Sequence, residues 1–228
     1  MRLTVGADVS EAARLAADEI ARACREAITA RGVALVAVSG GESPWLMLEQ
    51  LRARPLDWPL VHVVQVDERI APAGDPRRNV TRLSDLLVRD GPLPAVNLHA
   101  MPVESSTPDS AAAEFQLGLE AAFGRPLRFD VVQLGLGTDG HTASLVPGDA
   151  VLQVADRDVA VTAGPYQGLR RMTLTYPALN RARRRLWLVT GASKALPLAA
   201  LLAGTGDAPA AQVSASAAVV VADAAAAG

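Results

Sequence analysis

The chain has 228 residues, half of them hydrophobic but only 4% aromatic, with one cysteine and a formal net charge of −2. That length fits one α/β domain whose core is built from Ala, Val and Leu and buries roughly 70% of the unfolded surface. The near-neutral charge gives no sign of a nucleic-acid or membrane partner, and a lone Cys24 excludes an intramolecular disulfide and a thiolate zinc cluster.

The N-terminus, Met1-Arg2-Leu3-Thr4-Val5-Gly6, has no continuous apolar core of the signal-peptide kind. No stretch approaches the ~18 apolar residues of a membrane span, so the expected compartment is the cytoplasm. Helical periodicity runs over residues 10–31, with Ser10 as the expected N-cap and Ala12, Ala16, Ile20, Cys24 and Ala27 on one face. Gly32 ends it. Cys24, on the apolar side, reads as a buried, inert thiol. Residues 33–38 form a Val-rich run of the buried-strand type, followed by Ser39-Gly40-Gly41-Glu42-Ser43-Pro44. Ser43 is the expected N-cap and Pro44 the first residue of a helix to 52.

A second buried strand, 61–66, leads into Asp67-Glu68-Arg69. Residues 71–78 carry two prolines and a glycine and read as a loop, and Asn79 caps a short helix through 87. A weaker strand is predicted over 96–101, a helix over 108–123, and a strong strand over 129–134. Beyond lie strands at 159–162 and 171–175, a helical turn at 177–181, a strand at 186–190, a helix from Lys194 to 202 and a last strand at 217–222. No repeat or linker divides the chain, so residues 1–228 are expected to form one domain. Alternating strands and helices predict an α/β layered fold with a mostly parallel sheet.

The unusual residues fall just after strands. Ser39-Gly40-Gly41, Asp67-Glu68-Arg69, the stretch Gly135-Leu136-Gly137-Thr138-Asp139-Gly140-His141 and Lys194 all follow apolar runs, and in an open parallel sheet those carboxyl ends share the ligand-binding edge. Gly40 and Gly41, on the way into a helix, offer backbone N–H groups to an anion. Lys194 is a point charge suited to phosphate. Arg171 opens a strand that reaches the same edge if it runs in the opposite direction. His141, in a glycine-rich loop with Asp139 two residues before it, is the candidate for proton transfer. His62 and His99 lie within strand patterns and read as structural. Asp130 is expected to cap or pair locally. The basic run Arg181, Arg183, Arg184, Arg185 reads as a solvated helix-to-strand connection. There is no G-x-S-x-G elbow, no P-loop, and Gly135-Leu136-Gly137 does not complete a dinucleotide fingerprint.

As a set, Ser39 to Pro44, Val66-Asp67-Glu68-Arg69, Asn79, the Asp139-Gly140-His141-Thr142-Ala143-Ser144 run, Arg171-Met172-Thr173-Leu174-Thr175 and Gly191-Ala192-Ser193-Lys194-Ala195 resemble the 6-phosphogluconolactonase family. The motifs follow the family's order and cover nearly the whole chain. The chain departs from its usual pattern at Glu42-Ser43-Pro44, where the family often has Ser-Thr-Pro, and at Thr138 and Val146. Glu42 matters most, since a carboxylate beside a phosphate loop repels the phosphate unless it turns outward.

The resemblance implies a three-layer α/β/α sandwich with a Rossmann-like sheet. It also implies hydrolysis of 6-phospho-D-glucono-1,5-lactone to 6-phosphogluconate without a cofactor. Its partner is then a small sugar-phosphate lactone, acted on by a monomer or small homo-oligomer. His141 is the expected base, with Asp67 competing for that role because related deaminases use the carboxylate there. Asp139 orients His141 or contacts the sugar. Ser39, Gly40, Gly41, Ser43, Arg171 and Lys194 form the expected phosphate set, and Arg69 and backbone N–H groups near Gly137 the expected oxyanion or hydroxyl contacts. Two other readings share the sequence features: a glucosamine-6-phosphate deaminase and a non-catalytic sugar-phosphate sensor. The run after His141, Thr-Ala-Ser-Leu, speaks against the first, and the early start of the first helix against the second.

Overall fold

A computed structural model describes residues 1–228. Seven strands form one sheet: β1 (Arg2–Gly6), β2 (Ala34–Val38), β3 (Val61–Gln65), β5 (Leu98–His99), β6 (Val131–Leu134), β9 (Arg185–Val189) and β10 (Ala218–Asp223). Their order is β1-β10-β9-β6-β2-β3-β5, and every pairing is parallel. A second, three-stranded antiparallel sheet joins β4 (Asp67–Arg69), β8 (Arg171–Leu174) and β7 (Val159–Val161).

Strand residues alternate between two cores, as the period of two requires. Ala34, Val36 and Val38 of β2, Leu186 and Leu188 of β9, and Val219 and Val221 of β10 pack on one face. There they meet α1 (Val9–Arg31), α2 (Glu42–Arg52) and Leu83 of α3 (Asn79–Ser84). Leu35, Ala37, Trp187, Val189 and Val220 face the other way, toward α4 (Pro108–Phe123), α5 (Tyr176–Arg181), α6 (Ala195–Ala203), α7 (Ala224–Ala227) and the small sheet. The fold is therefore an α/β/α sandwich. Alanine at 12, 13, 16, 17 and 21 lets α1 lie close on the sheet.

Several local expectations are revised. Asp8, not Ser10, caps α1: its Oδ1 accepts from Glu11 N at 2.8 Å, while Glu11 Oε2 reaches back to accept from Ala7 N at 2.8 Å. Helix α2 begins at Glu42 with Gly41 as its cap, so Ser43 lies inside the helix, where its hydroxyl bonds Thr190 Oγ1. The edge strand β1 escapes the periodicity because Leu3 and Val5 face solvent. Arg185 is buried and donates to the carbonyls of Leu179, Asn180, Ala182 and Ser216, and Arg181 pairs with Asp158. The basic run is thus partly an internal clamp on loop carbonyls rather than a solvated connection. Cys24 is buried, and that burial pushes its thiol up to about 12. No helix is long and apolar enough to cross a membrane.

Candidate active site

Reading outward from β2, the chain goes right to β3 and later returns left to β6, so the topological switch point lies between β2 and β6. Loops leaving adjacent strands in opposite directions open a crevice there. A cleft of about 430 Å³ occupies it, lined by Ser39, Gly40, Gly41, Ser43, Asp67, Arg69, Gly137, His141, Arg171 and Lys194 among others. Gln133, a polar residue inside the apolar β6 run, staples the two strands. Its Oε1 accepts from Ser39 N at 3.0 Å and Ser39 Oγ at 2.8 Å. The hydroxyl of Ser39 is thereby committed, whereas the N–H groups of Gly40 and Gly41 donate to no other backbone group. Gly40 must be glycine, because a Cβ would lie 1.9 Å from Asn79 Oδ1.

The loop after β6 folds back on itself. Thr142 Oγ1 donates to Gly135 O at 2.9 Å, and Gly137 N donates to His141 O at 2.8 Å. Gly137 N–H is thus occupied and does not serve as the free donor expected there. The role of Gly137 is spatial: a Cβ would lie 2.1 Å from His141 Nδ1 and 2.5 Å from Asp139 Oδ1. Into that space fit the two side chains, with His141 Nδ1 2.6 Å from Asp139 Oδ1, which also accepts His141 N at 3.1 Å. Burial alone would raise the Asp139 carboxyl, but the bonds from the His141 side chain and backbone outweigh it and hold Asp139 below the usual range. Asp139 itself stands behind the imidazole rather than on the cleft wall.

Asp67 is held differently. β4 carries it into the small sheet, where it lies opposite Thr173 of β8. The antiparallel run of β8 brings Arg171 to the same edge, its Nη1 3.6 Å from Asp67 Oδ2. Oδ2 also accepts from Ser144 Oγ at 2.6 Å, and Asn79 Nδ2 donates to Asp67 O at 2.8 Å. Neighbouring Glu68 is fully buried and accepts from Arg69 N, Asn79 N and Val80 N, which fixes the turn into α3. Arg69 reaches across to Asn79 Oδ1.

Tyr166 is a cleft residue that motif reading passed over. It stands on the loop between β7 and β8, with its hydroxyl 3.3 Å from Asp139 Oδ2 and 3.4 Å from His141 Nδ1. Its ring meets the imidazole edge-on at 5.1 Å and lies 5.6 Å from the Arg171 guanidinium. Its carbonyl accepts from Arg171 Nη2 at 3.2 Å. Burial, then Asp139, pushes the phenol up, so it stays a donor. An aromatic residue in a loop of a chain this poor in aromatics was the available signal.

Lys194 ends the turn after β9, and burial lowers its ammonium against the opposing pull of Asp139. Glu42 lines the mouth of the cleft and is exposed. No group of three or more His, Cys, Asp or Glu side chains is placed to share a metal ion. His62 and His99 lie elsewhere, hydrogen-bonded to each other at 3.0 Å beside Phe123.

Comparison with known proteins agrees with this architecture. The model of the family described as glucosamine-6-phosphate isomerases/6-phosphogluconolactonase matches residues 7–222. The 6-phosphogluconolactonase of Synechocystis sp. is 38% identical over 188 residues, covering 80% of this chain and 77% of that protein. A crystal structure of a 6-phosphogluconolactonase from Shewanella baltica superposes with a TM-score of 0.84 at 26% identity, covering 98% of both chains. A monomeric glucosamine-6-phosphate deaminase shares the fold, with a TM-score of 0.86 at 18% identity over 100% of this chain and 99% of that one. This chain belongs to the glucosamine-6-phosphate isomerase/6-phosphogluconolactonase family.

Proposed function

We propose that residues 1–228 act as one lactonase domain that hydrolyses 6-phospho-D-glucono-1,5-lactone, with His141 as general base. The observation that carries this reading is the pairing of Asp139 with His141, which lines the same cleft as Lys194 and Arg171. A carboxylate at Nδ1 keeps the imidazole proton there and leaves the Nε2 lone pair for water. Water attacks C1 of the lactone as Nε2 takes its proton. The carbonyl pair moves onto oxygen, then returns as the C1 to ring-oxygen bond breaks. The imidazolium gives its proton to the departing ring oxygen. Base assistance of this type supplies roughly 10²–10⁴-fold.

Arg69 and the N–H groups of Gly40 and Gly41, which have no backbone acceptor, are the donors for the substrate's oxygens, since Gly137 N–H donates to His141 O. Lys194 and Arg171 take the phosphate. Tyr166 steadies the dyad by donating to the second oxygen of Asp139. Asp67, already accepting from Ser144 and pairing with Arg171, positions that guanidinium rather than removing a proton.

The deciding assay supplies freshly generated 6-phosphogluconolactone and follows acid release above the spontaneous rate. Ammonia release from glucosamine 6-phosphate with no acceleration of lactone opening would replace this reading with the deaminase one.

A further inference from the structure

A second cleft of about 330 Å³ adjoins the first and shares Gly41, Arg69, Asn79, Gln167 and Arg171 with it. Its lining holds five guanidinium groups, Arg69, Arg77, Arg78, Arg82 and Arg171, and no carboxylate. The paired carboxylates lie outside the lining, and several pairs are long. Arg171 is 3.6 Å from Asp67, Arg78 is 4.0 Å from Glu68, and Arg82 is 3.8 Å from Glu49. Arg77 pairs with Asp75 at 2.6 Å, and Arg78 also meets Glu104. Arg78 and Arg171 are each more than nine-tenths buried and each keeps an unpartnered Nε. Arg69 meets only the Asn79 amide, and Arg82 and Arg171 meet carboxylates only at long range, so these three groups are incompletely neutralised and their field converges on the cleft. Arg77 and Arg82, at 61% and 56% side-chain exposure, stand at its rim, Arg77 with Nε and Nη2 given to Asp75 and the rest of its fork open to water.

From this lining we infer a second anion site, adjoining the sugar-phosphate cleft and sharing Arg69 and Arg171 with it, that takes a phosphate-bearing small molecule. Guanidinium forks match phosphate oxygens two at a time, and five around one cleft suit a ligand with more than one phosphate charge. The rim arginines supply the outer contacts and Arg69 and Arg171 the inner ones. Because those two also face the catalytic cleft, an anion held here draws on the groups that the lactone needs and raises KM for the lactone. The inference goes beyond the lactonase reading, since its binding step does not depend on which reaction the neighbouring cleft performs.

Trp45 provides the readout. It lines the second cleft, is only partly buried, and its ring lies 5.7 Å from the Arg82 guanidinium, whereas Trp58 and Trp187 are buried in the core. The probe is inorganic pyrophosphate, titrated into the full chain at constant ionic strength with chloride as the control, and followed by tryptophan emission and by calorimetry. Pyrophosphate is expected to bind and change the emission where chloride does not. The double variant Arg77→Ala/Arg82→Ala is expected to bind it roughly tenfold or more weakly, since two charge-assisted bonds are lost. Its activity without pyrophosphate should match the parent, and Arg77→Lys/Arg82→Lys should restore part of the binding. Lys194→Ala should leave pyrophosphate affinity nearly unchanged. Binding that is lost in Lys194→Ala and kept in the double alanine variant places the anion in the sugar-phosphate cleft and overturns the inference. So does the absence of any response beyond the chloride control.

Discussion

Asp139 Oδ1 lies 2.6 Å from His141 Nδ1, and the same oxygen accepts the His141 backbone N–H at 3.1 Å. One carboxylate oxygen thus fixes both the ring's tautomer and the turn that carries it. If His141 is the base, His141→Ala should lower kcat by roughly 10²–10⁴-fold with KM little changed. Asp139→Asn should lower kcat as well, because an amide can present an N–H to Nδ1 and favour the wrong tautomer. Retention of activity within about threefold in folded His141→Ala protein would rule the base assignment out.

Asp67 is the rival carboxylate, and its surroundings separate the two roles. It is 6% exposed, accepts from Ser144 Oγ at 2.6 Å and holds Arg171 at 3.6 Å. A positioning role predicts that Asp67→Asn raises KM for the phosphorylated lactone through Arg171, while the decline of kcat on acidification keeps its shape. A base role predicts that the acidic decline disappears with the carboxylate. The pH profile of kcat in the variant therefore decides between them.

Much of this arrangement was legible in the sequence. Alternating cores fall out of Val-rich runs with a period of two, and the polar residues cluster where those runs end. The misses have physical causes. β4 is three residues long and polar, so its role in carrying Asp67 away from the main sheet is set by pairing with Thr173, a contact 106 positions distant. Gln133, like Gln65 of β3, is an amide inside an apolar strand, but its partner, Ser39, comes from a different loop. Arg185 looked solvated because its acceptors are backbone carbonyls, which leave no trace in residue identity.

Gly137 tests the geometry without touching a reacting group. A Cβ there would lie 2.1 Å from His141 Nδ1 and 2.5 Å from Asp139 Oδ1. Gly137→Ala must push the dyad apart, and the loop can move toward solvent to allow it. The expected result is a loss of kcat of roughly 10²-fold, as for other small misplacements of catalytic groups, with Tm nearly that of the parent. An unimpaired Gly137→Ala enzyme would show that the dyad's close contact is not needed for the reaction.

The imidazole pair on β3 and β5 predicts a pH dependence of stability. Burial lowers the His62 pKa, and burial followed by repulsion from His62 lowers that of His99. The unfolded chain therefore binds more protons than the folded one below the ordinary histidine value of about 6.5. The contribution is fully present above that pH and is lost as pH falls through the lowered folded values. Depressed carboxylates such as Asp139 and Asp149 act in a lower window, below about 4. Tm measured between pH 7 and 5 should fall in the parent and fall less in His62→Gln/His99→Gln. Identical slopes would assign the acid sensitivity to other groups.

Lys194 and Glu42 line the same cleft with opposite charges. Lys194 is kept in the cleft with its ammonium pKa lowered by burial and supported by Asp139, so a phosphate arriving there supplies the counter-charge that the folded protein only partly provides. Lys194→Ala should raise KM for 6-phosphogluconolactone by roughly tenfold or more, the loss of one charge-assisted contact, and leave unphosphorylated gluconolactone nearly unaffected. Glu42→Gln should act in the other direction, lowering KM for the phosphorylated substrate at low salt. That gain should fade as ionic strength rises, because Glu42 is exposed and its repulsion is screened. Equal effects of Lys194→Ala on both lactones would move the phosphate away from Lys194 and leave Arg171 and the Gly40–Gly41 donors to hold it.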